Sequence, residues 1–381
     1  MSFHPKIWLS SPHMSGREQK YIDDAFAKNQ VFPLGPHVLG LEEDLRKFTG
    51  VQACTCLSSG TAAIHLALII LNVNQGDEVI CSSFTFAATV NPVLYQKATP
   101  VLVESEPLTW NMDPDLLEEC IVDRLKKTGK KPKAIIMVHL YGMPAQMDSI
   151  KEISDKYNIP VIEDAAEALG SEYDGRKCGS MGDIGILSFN GNKIITTSGG
   201  GALLSHRKEH AKAALFLATQ ARDPAPHYQH SQVGYNYRMS NISAGIGRGQ
   251  MEVLHERIKK RRDNYAYYKE CLEGLPGLSF QSEPDPTYFS NRWLSVIVID
   301  PEVSGGADRE KIRLHLESYN IESRPLWKPM HLQPLYQQMP VYGRSVSDKL
   351  FEQGLCLPSS SNLTPNELSR VSEAIQSLWP D

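Results

Sequence analysis

The chain has no CxxC pair, and its seven cysteines, at Cys54, Cys56, Cys81, Cys120, Cys178, Cys271 and Cys356, are an odd number. Both points argue for reduced thiols and against a disulfide framework or a structural zinc site. Cys54 and Cys56 sit in a strand-like run and read as buried packing, not as a redox pair. No apolar run reaches membrane-spanning length, since the longest, near Leu71, is short and interrupted by His65. Met1 to Pro12 lacks the apolar core of a signal peptide, so the expected location is cytoplasmic. Excess positive charge is missing as well. Lys and Arg number 39 against 44 Asp and Glu, for a net charge of −5, which gives no general attraction to nucleic acid or anionic membrane. An anionic substrate would need local cations. The Gly199-Gly200-Gly201 run lacks the GxGxxG spacing, and Lys193 lacks the glycine that precedes a P-loop lysine.

What is present is a polar, glycine-containing turn carrying one lysine: Ser188-Phe189-Asn190-Gly191-Asn192-Lys193 follows an apolar strand and leads to Gly199-Gly200-Gly201. Small neighbours let a planar ring approach the amine, so Lys193 is a candidate for covalent attachment to an aldehyde cofactor. Upstream, Pro160-Val161-Ile162-Glu163-Asp164 reads as a short apolar strand ending in a carboxylate, followed by Ala165-Ala166-Glu167. Ligands in open α/β sheets bind beyond the carboxyl ends of strands, which aims Asp164 at a site. A carboxylate there suits the ring nitrogen of pyridoxal 5'-phosphate, which it keeps protonated; an Asp at the start of a helix is the competing reading. Further upstream, Ser58-Ser59-Gly60-Thr61 opens an Ala/Leu/Ile helix, offering backbone N–H groups and hydroxyls to a phosphate.

Short apolar runs at 78–82, 99–103, 134–139, 160–163 and 185–189 alternate with helical segments such as 148–157. This alternation predicts a largely parallel sheet covered by helices. The charged stretch 251–272 reads as one amphipathic helix with a solvated basic face. Beyond a Pro/Ser/Asp-rich break at 282–287, a strand at 293–299 and a helix at 309–318 predict a smaller α+β domain.

On these motifs, together with Leu9-Ser10-Ser11-Pro12-His13-Met14, Ser82-Ser83-Phe84-Thr85-Phe86, Gly234-Tyr235-Asn236-Tyr237-Arg238 and Arg324-Pro325-Leu326-Trp327-Lys328-Pro329-Met330-His331, the chain resembles the DegT/DnrJ/EryC1/StrS sugar aminotransferases. Within that family it is most similar to enzymes making UDP-4-amino-4,6-dideoxy-N-acetylhexosamines, of the bacillosamine-pathway type. The resemblance implies an α/β fold of pyridoxal phosphate fold-type I. Its large domain, with a mostly parallel seven-stranded sheet, would span 1–253 with the N-terminal arm, and a smaller α+β domain 254–381. It implies that Lys193 anchors the cofactor, that Asp164 faces the ring nitrogen, that Gly60, Thr61 and Ser188 hold the phosphate, and that Phe84 stacks on the ring. Glu167, where many relatives have His or Gln, is placed near the cofactor and the reacting sugar carbon. Asn236 is implied to reach across a homodimer interface and complete the partner's phosphate site. Arg238, Lys328 and His331 are the expected cations for a nucleotide diphosphate, with Asn291, Arg292 and Trp293 near the nucleotide; no metal is implied. The expected reaction moves an amino group from L-glutamate, leaving 2-oxoglutarate, to C4 of a UDP-linked 4-keto-6-deoxy-N-acetylhexosamine for bacterial surface glycan synthesis. Family members with histidine in place of the lysine dehydrate their substrates, whereas the lysine here points to amino transfer. The alternatives are transfer at C3, a dTDP- or GDP-sugar, or a noncatalytic protein on the same fold. His227-Tyr228-Gln229-His230 and Trp327 to His331 resemble the UDP-N-acetyl 4-amino enzymes.

Overall fold

The computed structural model describes residues 5–379. Seven strands form the body of the main sheet: β1 (Ala53–Leu57), β2 (Glu78–Ser82), β3 (Thr99–Val103), β4 (Ala134–Val138), β5 (Val161–Asp164), β6 (Ile184–Ser188) and β7 (Gly201–Ser205). Their order is β1-β7-β6-β5-β4-β2-β3, and the two-residue strand Val341–Tyr342 adds an eighth, parallel to β3. The expected seven strands are therefore joined by a short edge segment from far along the chain. Pairings among β3, β2, β4, β5 and β6 are parallel, while β7 runs antiparallel to both β6 and β1. Strands β1, β4, β5 and β7 are buried along their whole length. Burial on both faces is what a helix-covered parallel sheet imposes, and it explains their near-continuous Val/Ile/Leu character.

The apolar helix Gly60–Ile70 lies against this sheet, with Ala63, Leu66, Ala67 and Leu68 fully buried. Ser59 caps it, its Oγ accepting from the Ala62 amide at 3.0 Å. Gly201, at the start of β7, lets the helix start come close: a Cβ there would fall 2.4 Å from the Gly60 nitrogen.

A second sheet, ordered Leu278–Phe280, Ser295–Ile299, Gly354–Leu357 and Arg324–Pro325, is antiparallel throughout. Ile297, Ile299, Leu355 and Leu357 pack with Ile312 of helix Arg309–Ser318 and Val371 of helix Pro365–Gln376. Ile7 joins this smaller core, forming a parallel bridge with Ile321.

The helix expected over 251–272 is present as Leu254–Leu272, and Met251 instead ends the preceding helix. Helix Asn241–Met251 stops and Leu254–Leu272 begins after Val253, whose φ of −119° and ψ of 8° lie off the helical region. Glu252 at the break accepts from Tyr21 Oη at 2.6 Å and pairs with Lys20 at 2.8 Å, so the N-terminal segment fixes the corner. The basic face is also not fully solvated: Arg257 and Arg261 are buried, and desolvation lowers the Arg261 guanidinium to about 9. Leu254 and Ile258 pack into the large core, Tyr268 and Leu272 into the small one, so this helix joins the two.

Candidate active site

One cleft of about 760 Å³ collects the ends of β5 and β6, the start of helix Gly60–Ile70, the Asn190–Lys193 turn and parts of the small sheet. Gly60, Thr61, Asp164, Glu167, Ser188, Lys193 and Trp293, all singled out from sequence, line it. Consecutive strand ends and the turns after them bring these distant residues together.

Lys193 lies on a tight turn closed by its own amide, which donates to the Asn190 carbonyl at 3.0 Å. Its Nζ is 3.5 Å from Glu167 Oε1 and 4.1 Å from the centre of the Trp293 ring. Asp164, the last residue of β5, is buried; its Oδ2 accepts from Thr89 Oγ1 at 2.8 Å and its Oδ1 from the Ala166 amide at 3.1 Å. Burial pushes its carboxyl above the ordinary range, against those hydrogen bonds and the Lys193 charge. Glu167 is pushed up to about 7, chiefly by desolvation and opposed by Lys193 and the Tyr141 amide. Beside Asp164, Glu163 is fully buried yet held below its ordinary value: desolvation is outweighed by His139, 2.8 Å away, and by the Gly179 and Gly182 amides. That pairing pins the end of β5 from behind.

The donor set fits pyridoxal phosphate. A buried carboxylate whose desolvation a ring cation would relieve sits in the same cleft as a primary amine. Hydroxyls of Thr61 and Ser188 flank a helix N-terminus, where first-turn amides have no helical acceptor.

The DegT/DnrJ/EryC1/StrS aminotransferase family model matches residues 12–376. The chain belongs to this family. It is 52% identical over 380 residues to EpsN of Bacillus subtilis (strain 168), a protein named as a pyridoxal phosphate-dependent aminotransferase, across 99% of this chain and 96% of that one. It is 35% identical over 378 residues to GDP-perosamine synthase of Caulobacter vibrioides, across 99% of this chain and 100% of the relative. Among solved structures, a DegT DnrJ EryC1 StrS aminotransferase from Brucella abortus superposes with a TM-score of 0.89 at 27% identity, covering 96% of each chain. Pyridoxal phosphate is accordingly the cofactor, and fold-type I the architecture. Among the described residues no helix is long and apolar enough to cross a membrane.

Other family-derived positions do not line the cleft. Phe84, expected to stack on the cofactor, is 1% exposed and packs edge-on to Tyr141 in an aromatic core; Phe86, two residues on, lines the cleft instead, against Trp327. Arg238 is spent on Glu42 and on the Cys56 carbonyl, 2.9 Å away. His331 is locked between Ser83 Oγ at 2.6 Å and Asp348 Oδ1 at 2.7 Å. Arg292 donates to the Gln281 carbonyl at 2.7 Å and covers the Tyr265 ring. Asn291 is fully buried, its amide donating to the Glu167 and Leu169 carbonyls at 2.8 and 3.0 Å. Lys328 is exposed beside Trp327, and Asn236 is exposed, bridged to Thr219; neither lines this chain's cleft. In their place the rim carries Glu322 and Arg324, paired at 2.8 Å. Arg324 opens a stretch already notable in the sequence, but a rim position is set by how Arg324–Pro325 docks on Gly354–Leu357.

Proposed function

We propose that the protein transfers an amino group from L-glutamate to C4 of a UDP-linked 4-keto-6-deoxy-N-acetylhexosamine, yielding a UDP-4-amino sugar for surface glycan synthesis. The observation that carries the reading is the convergence of Lys193, Asp164 and the Gly60 helix start on one cleft. When bound, pyridoxal phosphate carries the amino group between the two substrates and delocalises the electrons released at the reacting carbon. Lys193 would hold it through Nζ, and its freed amine would take a proton from the donor's α-carbon and, in the sugar half-reaction, deliver one to C4. Asp164 would keep the ring nitrogen protonated. Thr61, Ser188 and the first-turn amides at Gly60 would hold the phosphate. The aromatic and charged rim of Phe86, Trp327, Glu322 and Arg324 suits a nucleotide sugar, with Arg324 the cation within reach of a diphosphate.

The catalytic unit in this reading is a homodimer, with Asn236 completing the partner's phosphate site. Its exposure away from its own cleft supports that role, as do the exposed Tyr228 and Val233 on the same segment. A GDP-sugar acceptor is the second reading, favoured by the relative named GDP-perosamine synthase.

The test is a UV-visible spectrum of the pyridoxal phosphate-loaded protein before and after glutamate, for wild type and Lys193→Ala, followed by a panel of UDP-, GDP- and dTDP-linked keto sugars. The expected result is a glutamate-driven spectral change that needs Lys193, reversed by the UDP-linked 4-keto sugar. Reversal by a GDP-sugar alone would replace the acceptor; no Lys193-dependent change would overturn the site.

A further inference from the structure

Two buried side chains lie against the Lys193 amine: the Glu167 carboxylate at 3.5 Å and the face of the Trp293 indole at 4.1 Å. The ring is fixed at both ends. Its Nε1 donates to the Asn192 carbonyl at 2.8 Å, the residue just before Lys193, and Arg261 donates to the Trp293 carbonyl. Arg261 also reaches Ser10 Oγ at 3.1 Å, and Ser10 in turn donates to the same Asn192 carbonyl at 2.7 Å. The N-terminal arm, the lysine turn and the long helix therefore meet at the peptide that carries Lys193.

A single buried residue couples the two contacts. Asn291 donates to the Glu167 carbonyl and accepts from the Trp293 amide, each at 2.8 Å. It fits only because Gly142 has no side chain: a Cβ there would lie 2.0 Å from Asn291 Oδ1. Tyr141 reinforces the link, its amide donating to Glu167 Oε2 at 2.7 Å while its ring stacks on Trp293. Trp293 thus takes its place beside the lysine, in the cleft where the family resemblance set it near the nucleotide.

We propose that the Trp293 face and the Glu167 carboxylate form a seat that holds Lys193 as the ammonium it becomes on taking the substrate proton. The inference rests on Lys193 being the reactive amine, as proposed above. A cation over an indole face in a desolvated site is stabilised electrostatically, and the carboxylate adds a second attraction. Trp293 is here a positioning residue, acting through the lysine. The other charged groups of the cleft are Asp164 and the rim pair Glu322 and Arg324.

The test titrates Lys193 in full-length protein loaded with pyridoxamine 5'-phosphate, which has no aldehyde and leaves the lysine free. Competitive acetylation by acetic anhydride across pH, read by peptide mass spectrometry, reports the amine's own pKa. In Trp293→Leu that pKa is expected to fall by about one unit, making Lys193 roughly tenfold more reactive at a pH below both values. Trp293→Phe retains a ring face and falls less, and Glu167→Gln also lowers it. An unchanged or raised value in Trp293→Leu overturns the seat; should that variant not fold, the same result in Trp293→Phe and Glu167→Gln overturns it. Borohydride reduction of the pyridoxal phosphate-loaded wild type separates the two readings. A cofactor mark absent from Lys193 removes the underlying assignment, whereas a mark on Lys193 with unmoved titration removes only the seat.

Discussion

Glu167 Oε1 stands 3.5 Å from Lys193 Nζ while Oε2 accepts the Tyr141 amide at 2.7 Å, so one carboxylate is shared between the reactive turn and a fixed backbone donor. Its proton is held to about pH 7 in the folded chain, against an ordinary 4.5. Between those values the native state binds a proton that the unfolded chain has released. The stability this group contributes is complete below about pH 4.5 and is lost as pH rises through 7, a loss of about 3 kcal/mol. Denaturant melts of cofactor-free protein should show wild type losing that much more than Glu167→Gln between pH 4.5 and 8. Parallel curves would mean that Glu167 is already ionised in the fold.

Asp164 is a second buried carboxylate whose proton affinity is raised by desolvation, and an amide of the same shape avoids that cost. Asp164→Asn keeps one oxygen to accept from the Ala166 amide and turns an NH2 donor toward the Thr89 hydroxyl oxygen, so melting should stay within a few degrees of wild type or rise. In the proposed reaction turnover should fall by about a hundredfold or more, because the ring nitrogen would lose the charge proposed to keep it protonated. A variant that melts normally and turns over normally would remove Asp164 from the chemistry.

Phe84 and Phe86 separate packing from binding within three residues. Phe84→Ala empties a site in the Tyr141, Trp293 and Leu326 cluster and should cost about 3–5 kcal/mol of stability. Phe86 is 54% exposed at the cleft wall, so Phe86→Ala should leave melting nearly unchanged and weaken cofactor or sugar binding, read as a raised Kd or KM. The reverse pattern would return the ring contact to Phe84.

The placement of residues in this cleft was legible where local sequence determines it. Asp164 ends an apolar run, Gly60 and Thr61 follow a capping serine, and Lys193 sits on a turn of Asn and Gly; each has its local geometry set within a few residues. The strands at 78–82 and 99–103 and the helix at 309–318 were legible for the same reason, from period and apolar run length. Phe84 against Phe86 was not, because the alternation of β2 ends at Ser82 and the turn beyond it decides which ring faces the cleft. Nor was the burial of Arg257 and Arg261, since a basic run is compatible with either face of a helix until the N-terminal arm is laid across it. Arg257 donates to the His13 carbonyl at 3.2 Å and Arg261 to Ser10, partners some 250 residues away.

Pairing within the protein also governs Arg238, His331 and Arg292, whose charges suggested a diphosphate: Arg238 and His331 find partners far along the chain, Arg292 the nearby Gln281 carbonyl. Arg238 is the sharpest case, since it and Glu42 are both largely buried and a second bond runs to the Cys56 carbonyl. Removing one member of such a pair strands the other, so Arg238→Met should destabilise the fold by about 3–5 kcal/mol. Arg238→Met with Glu42→Gln should recover part of that loss, as the stranded charge is removed along with its partner. KM for the nucleotide sugar should be unchanged in whatever fraction of either variant remains folded. His331→Ala should behave alike at smaller scale, about 1–3 kcal/mol, because Ser83 is left buried without the ring. Arg324→Ala, by contrast, should raise KM for the sugar with little effect on melting, since that guanidinium is exposed at the rim. Steady-state kinetics alongside thermal melts of these three single variants distinguish the assignments. A KM effect in Arg238→Met at wild-type stability would restore it to the substrate.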